Sequence, residues 1–111
     1  MPLEIFFKDN KLKTFCEQRD VAIKKVGAVC ARKLRTRLAD MLAVNAVSEL
    51  TAGNPHPLHG ERAGQFALDL EGGFRLVFEP AHDPAPCKID GGIDWARISR
   101  VRIISIGDYH E

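Results

Sequence analysis

Cysteine is sparse and unpaired in this chain: Cys16, Cys30 and Cys87 form an odd set at wide spacings. That excludes a disulfide framework and the C-x-x-C ligand pairs of a zinc site, so three reduced thiols are expected, two of them helical. They should be inert, because a reactive cysteine needs an electropositive, accessible setting. No apolar run approaches the ~20 residues needed to span a bilayer, which excludes a membrane helix. The first residues, MPLEIFFKDNKLK, lack a basic region followed by a long apolar stretch and a small-residue cleavage site. They do not read as a secretory signal, and a cytoplasmic location is expected. Repeats and low-complexity tracts are absent.

What is present is ordinary globular composition, 45% apolar and 28% charged over 111 residues, enough for one core and too little for a separate cofactor-binding module. A single domain over residues 1–111 is expected, with no cofactor. The net charge of +1 hides an asymmetry: residues 1–40 carry ten Lys/Arg against five Asp/Glu, and residues 41–111 carry six against ten. The basic charge is therefore local, and it can attract phosphates over a Debye length of about 8 Å.

Leu3, Ile5 and Phe7 alternate with Glu4 and Phe6, the period of a short half-buried strand at a sheet edge. A short helix fits Asn10 to Glu17. The series Ile23, Val26, Cys30, Leu34, Leu38, Met41, Leu42 recurs at steps that are mostly three or four residues and predicts one long helix from about Asp20 to Ala43. On it Lys24, Lys25, Arg32 and Arg35 fall within about 100° of one another, a basic outer ridge suited to RNA phosphates. Asn45 can cap a further short helix through Glu49, ended by Gly53-Asn54-Pro55. Phe66, Leu68 and Leu70, a Glu71-Gly72-Gly73 turn, and Phe74, Leu76 and Phe78 predict a β-hairpin whose apolar residues face the helices. Arg75 then lies on the opposite face. Residues 80–97, rich in Pro and Gly, form an inserted excursion, either functional or mobile. Ile98 to Ile106 returns as a strand beside the hairpin, with Val101, Ile103 and Ser105 on one face and Arg100, Arg102, Ile104 and Ile106 on the other. The fold class is α+β: a small antiparallel sheet packed on N-terminal helices in the order β-α-α-β-β-β.

Two segments carry proton-transfer chemistry: His56-Pro-Leu-His59-Gly-Glu-Arg62 and Gly107-Asp108-Tyr109-His110, with Arg75 between them. Imidazole, carboxylate and phenol near a guanidinium are the parts of an RNA-cutting site if the sheet brings them together. Each has a plainer reading. His56 and His59 can be solvated loop residues, Arg75 can pair with Asp69 or Glu79 across the hairpin, and residues 108–110 can be a frayed tail. A metal held by His56, His59 and Glu61 lacks further ligands, and none is expected.

HPLHGERAGQFALDLEGGFRLVFEP followed by VRIISIGDYH resembles the C-terminal half of the RelE/ParE-superfamily toxins of type II toxin–antitoxin systems, in particular the HigB-like "killer protein" group. The resemblance implies a RelE-like fold and a toxin that enters the ribosomal A site. It also implies metal-independent cleavage of messenger RNA during translation, a cognate antitoxin, and operator DNA contacted only through that antitoxin. By position it gives catalytic roles to His56, Arg75, Asp108, Tyr109 and His110, while His59 and Arg62 would bind phosphate. Many HigB-like members carry lysine where this chain has His59, so phosphate binding is expected to depend more on pH here. Two alternatives share the fold: a ParE-like poison of DNA gyrase that cuts no RNA, and an inactive relative retained as an antitoxin-binding or DNA-binding regulator. The cluster of titratable groups at residues 108–110 favours the nuclease.

Overall fold

The computed structural model describes residues 2–108. Strand β1 (Glu4–Phe7) is followed by helices α1 (Asn10–Glu17), α2 (Arg19–Val26) and α3 (Ala28–Leu42). Then come β2 (His56–Pro57), β3 (Phe66–Asp69), β4 (Arg75–Pro80) and β5 (Arg100–Gly107). The strands form one sheet in the order β1-β5-β4-β3-β2. Phe66, Leu68, Leu76, Phe78, Val101 and Ile103 bury one face of it against Phe15, Ala22, Ala31, Leu34 and Met41 of the helices, so the expected α+β architecture is present. The hairpin and its pairing with the returning strand are antiparallel, as expected. The edge strand β1 is the exception: it runs parallel to β5, with Ile5 opposite Val101 and Phe7 opposite Ile103. Parallel neighbours need a long crossover, which the helices supply. The alternation at residues 3–7 specifies a strand but says nothing of its partner's direction.

The long helix expected from Asp20 to Ala43 is divided at Gly27, whose φ is 87°. The Gly27 N–H closes α2 on the Ile23 carbonyl, and its own carbonyl accepts from the Ala31 N–H, both at 2.9 Å. The apolar spacing steps across the break because both helices pack on the same core, so periodicity alone could not reveal it. The continuous basic ridge is lost with the helix. Lys25 lies over the Phe15 ring, 5.8 Å from its centroid, whereas Arg32 and Arg35 line a cleft of about 160 Å³ with Arg19. A Cβ at Gly27 would touch nothing, so only backbone strain opposes a side chain there. Gly27→Ala is expected to lower stability by about 1–3 kcal/mol, the cost of a glycine-only backbone region; an unchanged urea midpoint would mean that the two helices straighten into one.

Two smaller expectations change. Asn45 does not cap a helix: residues Val47–Glu49 make a single 3-10 turn, and the Asn45 N–H donates to Glu49 Oε1 at 2.9 Å. The alternation expected along β5 holds only to Ile103. There the register slips against Val77 and Phe78, so Ile103 sits opposite Phe78 but Ser105 opposite Val77 and Ile106 opposite Leu76. The extra residue, Ile104, is a β-bulge, a device that re-aims side chains. Ile106 thereby joins the helix-side core, and Ile104 packs on the other face with Leu58, Ala67 and Val77.

The excursion after Pro80 folds back on itself through a single β-bridge. Cys87 bridges Ile93, Lys88 N–H donates to the Gly92 carbonyl at 2.7 Å, and Trp95 tilts onto Phe66 with ring centroids 4.8 Å apart. At its base His82 Nε2 accepts from the Ser99 and Arg100 N–H groups at 3.0 and 3.2 Å.

Cys16 and Cys30 are helical, as expected. Burial, reinforced by the Glu17 carboxylate, raises the Cys16 thiol from 9.0 to about 12, and burial likewise raises Cys30. Cys87 is exposed. Iodoacetamide at neutral pH should therefore alkylate Cys87 first, with Cys16 and Cys30 modified only on unfolding, as peptide mass mapping would show; rapid labelling of Cys16 would contradict the packing. The raised thiols also fix a sign. Above the ordinary value of 9.0 the unfolded chain ionises before the folded one, so stability is full below that value and falls as pH climbs towards 12.

Candidate active site on the open face of the sheet

The sheet face turned away from the helices carries the candidate residues. Because side chains alternate, Ala67 and Asp69 of β3 share this face with Arg75, Val77 and Glu79 of β4. His56 pairs with Ala67, which pairs with Val77, which pairs with Ser105. One step along, Asp69 pairs with Arg75, which pairs with Gly107. His56 and Arg75 are thus two strands and two residues apart. Strand spacing and rise put their Cα atoms about 12 Å from each other. Buried Ala67 and Val77 form a small apolar floor between them.

The first site residue is held by a tight turn. Gly53 and Asn54 both have positive φ, 84° and 50°, and Asn54 is the sole non-glycine residue of that kind among the described residues. The turn aims the Asn54 carbonyl at His56 Nδ1, 2.6 Å away. A carbonyl only accepts, so Nδ1 carries the proton and neutral His56 keeps its lone pair on Nε2. That is the form of a general base. The sequence left open which proton job His56 could do; the contact fixes the tautomer of the neutral ring and directs Nε2 away from Asn54 as the nitrogen that would exchange a proton.

Arg75 is fixed from the other side. Its Nε lies 3.3 Å from Asp69 Oδ1, and its side chain is only 21% exposed. Of the two partners considered from sequence, Asp69 is the one used; Glu79 is taken by Arg102 at 2.7 Å. The contact is an ion pair without hydrogen-bond alignment, since buried Asp69 Oδ1 accepts no hydrogen bond among the described residues, and a guanidinium so held keeps its fork for a ligand. Ser105 also faces this surface, and its buried Oγ has no hydrogen-bond partner among the described residues. Sequence reasoning missed Ser105, because an unbroken alternation puts it in the core; only the bulge at Ile104 turns it outward.

The remaining candidates are placed as follows. Asp108 is exposed and directly follows Gly107, the residue opposite Arg75. Tyr109 and His110 lie outside the described residues. His59 precedes the 3-10 turn Gly60–Arg62, and Arg62 Nη1 donates to Gln65 Oε1 at 3.2 Å. Both follow β2 in the connection to β3. Lys24, Lys25, Arg32 and Arg35 are exposed on helices that pack on the opposite face, so the structure does not bring them to His56 and Arg75. Among the described residues no group of three or more His, Cys, Asp or Glu side chains is arranged to hold a metal, and no helix is long and apolar enough to cross a membrane.

No family model matches the chain, and no curated protein matches it in sequence. Solved structures do match in shape. A YoeB/ParE toxin from Agrobacterium tumefaciens superposes with a TM-score of 0.59 at 12% identity, covering 97% of this chain and 100% of that one. A YoeB-YefM complex from Staphylococcus aureus gives 0.58 at 15% identity and full coverage of both chains. The fold is therefore the RelE-like fold of YoeB/ParE toxins.

Proposed function

We propose that this chain is the toxin of a type II toxin–antitoxin system and that it acts as a ribosome-dependent, metal-independent endoribonuclease on messenger RNA. The observation that carries this reading is the pairing on one open face of a histidine whose Nδ1 is held by a carbonyl with an arginine held by an ion pair to Asp69. Arg75 stands opposite Gly107, at the end of the strand that leads into Asp108, Tyr109 and His110, and His56 lies on the same face three strands from Gly107. In the proposed reaction His56 Nε2 takes the proton of a ribose 2′-OH. The 2′-oxygen then bonds to the adjacent phosphorus, and the bond from phosphorus to the 5′-oxygen breaks. Arg75 holds the two non-bridging oxygens as negative charge builds on them. The departing 5′-oxygen needs an acid, the role assigned to the Asp108–Tyr109–His110 cluster, with Tyr109 also suited to stacking on a splayed base. His59 and Arg62 would track the neighbouring phosphates of the same RNA strand. Lys24, Lys25, Arg32 and Arg35, on the far face, would meet a different nucleic-acid surface of the ribosome.

A HigB-like assignment within the superfamily, cytoplasmic action and a cognate antitoxin belong to the same proposal. The Staphylococcus aureus structure supports a protein partner, because a YoeB chain of this fold is there in complex with YefM. The test is cleavage of a translated messenger by purified protein, with and without programmed ribosomes, alongside a chain lacking Tyr109 to Glu111. Ribosome-dependent cuts that vanish on truncation are expected. A folded wild-type chain that cuts nothing would remove the nuclease reading, and inhibition of gyrase supercoiling by it would install the ParE-like one.

A further inference from the structure

His56 and Arg75 do not touch, yet a continuous set of contacts joins them. The Asn54 carbonyl accepts from His56 Nδ1 at 2.6 Å, and the Asn54 side-chain amide donates to Asp69 Oδ2 at 3.2 Å. The other oxygen of the same carboxylate, Oδ1, faces Arg75 Nε at 3.3 Å. The backbone closes the loop, since Asp69 N–H donates to the Gly53 carbonyl at 2.6 Å and ties the turn to the strand. Asn54 meets both demands at once. It tolerates the left-handed conformation at φ 50°, and its side chain both reaches and donates.

We propose that Asn54 and Asp69 are positioning residues that set the distance and orientation between the His56 imidazole and the Arg75 guanidinium. The Asp69 carboxylate is shared: Oδ2 accepts from the Asn54 amide and anchors the turn that carries the base, and Oδ1, ion-paired with Arg75 but accepting no hydrogen bond among the described residues, holds the guanidinium by charge. The assignment rests on the nuclease reading for its catalytic consequence but not for its geometry. The chemistry explains why the spacing matters: a base and a phosphate clamp act on atoms of one nucleotide, and a displacement of about 1 Å in such a pair can cost about 100-fold in rate.

The alternative is that Asn54 serves only to turn the chain. Glycine adopts φ 50° freely, so Asn54→Gly keeps the turn and removes only the amide. Asn54→Asp keeps the shape but sets a second carboxylate against Asp69. Asp69→Asn keeps the size and removes the charge facing Arg75. Two measurements on the full chain separate the possibilities: kcat and KM for ribosome-dependent cleavage, and nitrogen NMR of the His56 ring and of Arg75 Nε. Asn54→Gly should lower kcat by about tenfold to a hundredfold with KM within about twofold, and Asn54→Asp should lower it further. The His56 ring of the wild type should show the Nδ1–H tautomer, with both the ring signals and the Arg75 Nε signal shifted in Asn54→Gly and in Asp69→Asn. Full kcat in Asn54→Gly with unshifted ring and Nε signals overturns the link and leaves Asn54 as a turn residue. If the wild type cuts no RNA, the nuclease reading fails by itself and the NMR signals alone decide: shifts in both variants sustain the link, and their absence removes it.

Discussion

Arg75→Ala is expected to reduce cleavage by about 100-fold or more, the usual cost of removing one donor from the charge developing on a transferring group, while leaving the fold in place. The stability side of this expectation follows from exposure. The Arg75–Asp69 pair is partly solvated, with side chains 21% and 38% exposed, and its Nε–Oδ1 contact is 3.3 Å long. Such pairs contribute about 0–1 kcal/mol, small beside the roughly 5–15 kcal/mol of a domain this size. Arg75→Lys should recover little, because an ammonium restores the charge but not the fork that holds two oxygens. The measurement is single-turnover cleavage on programmed ribosomes, with circular dichroism to establish folding. A folded alanine variant that cuts at the wild-type rate would take Arg75 out of the site.

Phe78→Ala should have the largest effect on stability. Phe78 is wholly buried beside the bulge, and its ring stacks on Phe66 with centroids 5.5 Å apart; Phe66 in turn carries Trp95. Truncation leaves a cavity at the junction of the hairpin, the helices and the base of the excursion. A loss of about 3–5 kcal/mol is expected, a large part of the total stability. Urea denaturation followed by Trp95 fluorescence would report it. A loss below about 1 kcal/mol would mean that the helices close over the gap, against the usual partial relaxation of such sites.

Most strands were legible because half-buried strands alternate: residues 66–70, 74–78 and 101–103 announce both strand and buried face. What escaped the sequence depended on contacts between distant segments. Gly27 stands within an unbroken apolar series, and only its positive φ shows that the helix stops there. The two-residue strand His56–Pro57 is too short for any periodicity and exists because β3 offers an edge. The site followed the same division. Arg75 could be placed on the open face by counting along β4, and His56 was named from its residue chemistry and given a catalytic role by the family resemblance. The Asn54–Asp69 connection spans fifteen positions and needs the turn at residues 53–54 to form. The basic ridge failed for the opposite reason, since a helical wheel assumes a continuous helix.

The pairing of β1 with β5 carries a kinetic consequence. Glu4 meets Arg100 across nearly the whole length of the chain, and β5 lies between β1 and β4 in the sheet. The hairpin β3–β4 and the helix pair α2–α3 can form from near neighbours, but β1 finds its sheet partner only in β5, at the other end of the described chain. Closing so long a loop costs entropy before any contact rewards it, and topologies rich in such contacts fold slowly. Hydrogen exchange during refolding should therefore protect β3 and β4 early and β1 last. The open face would be complete from His56 to Gly107 before the sheet acquires its outermost strand.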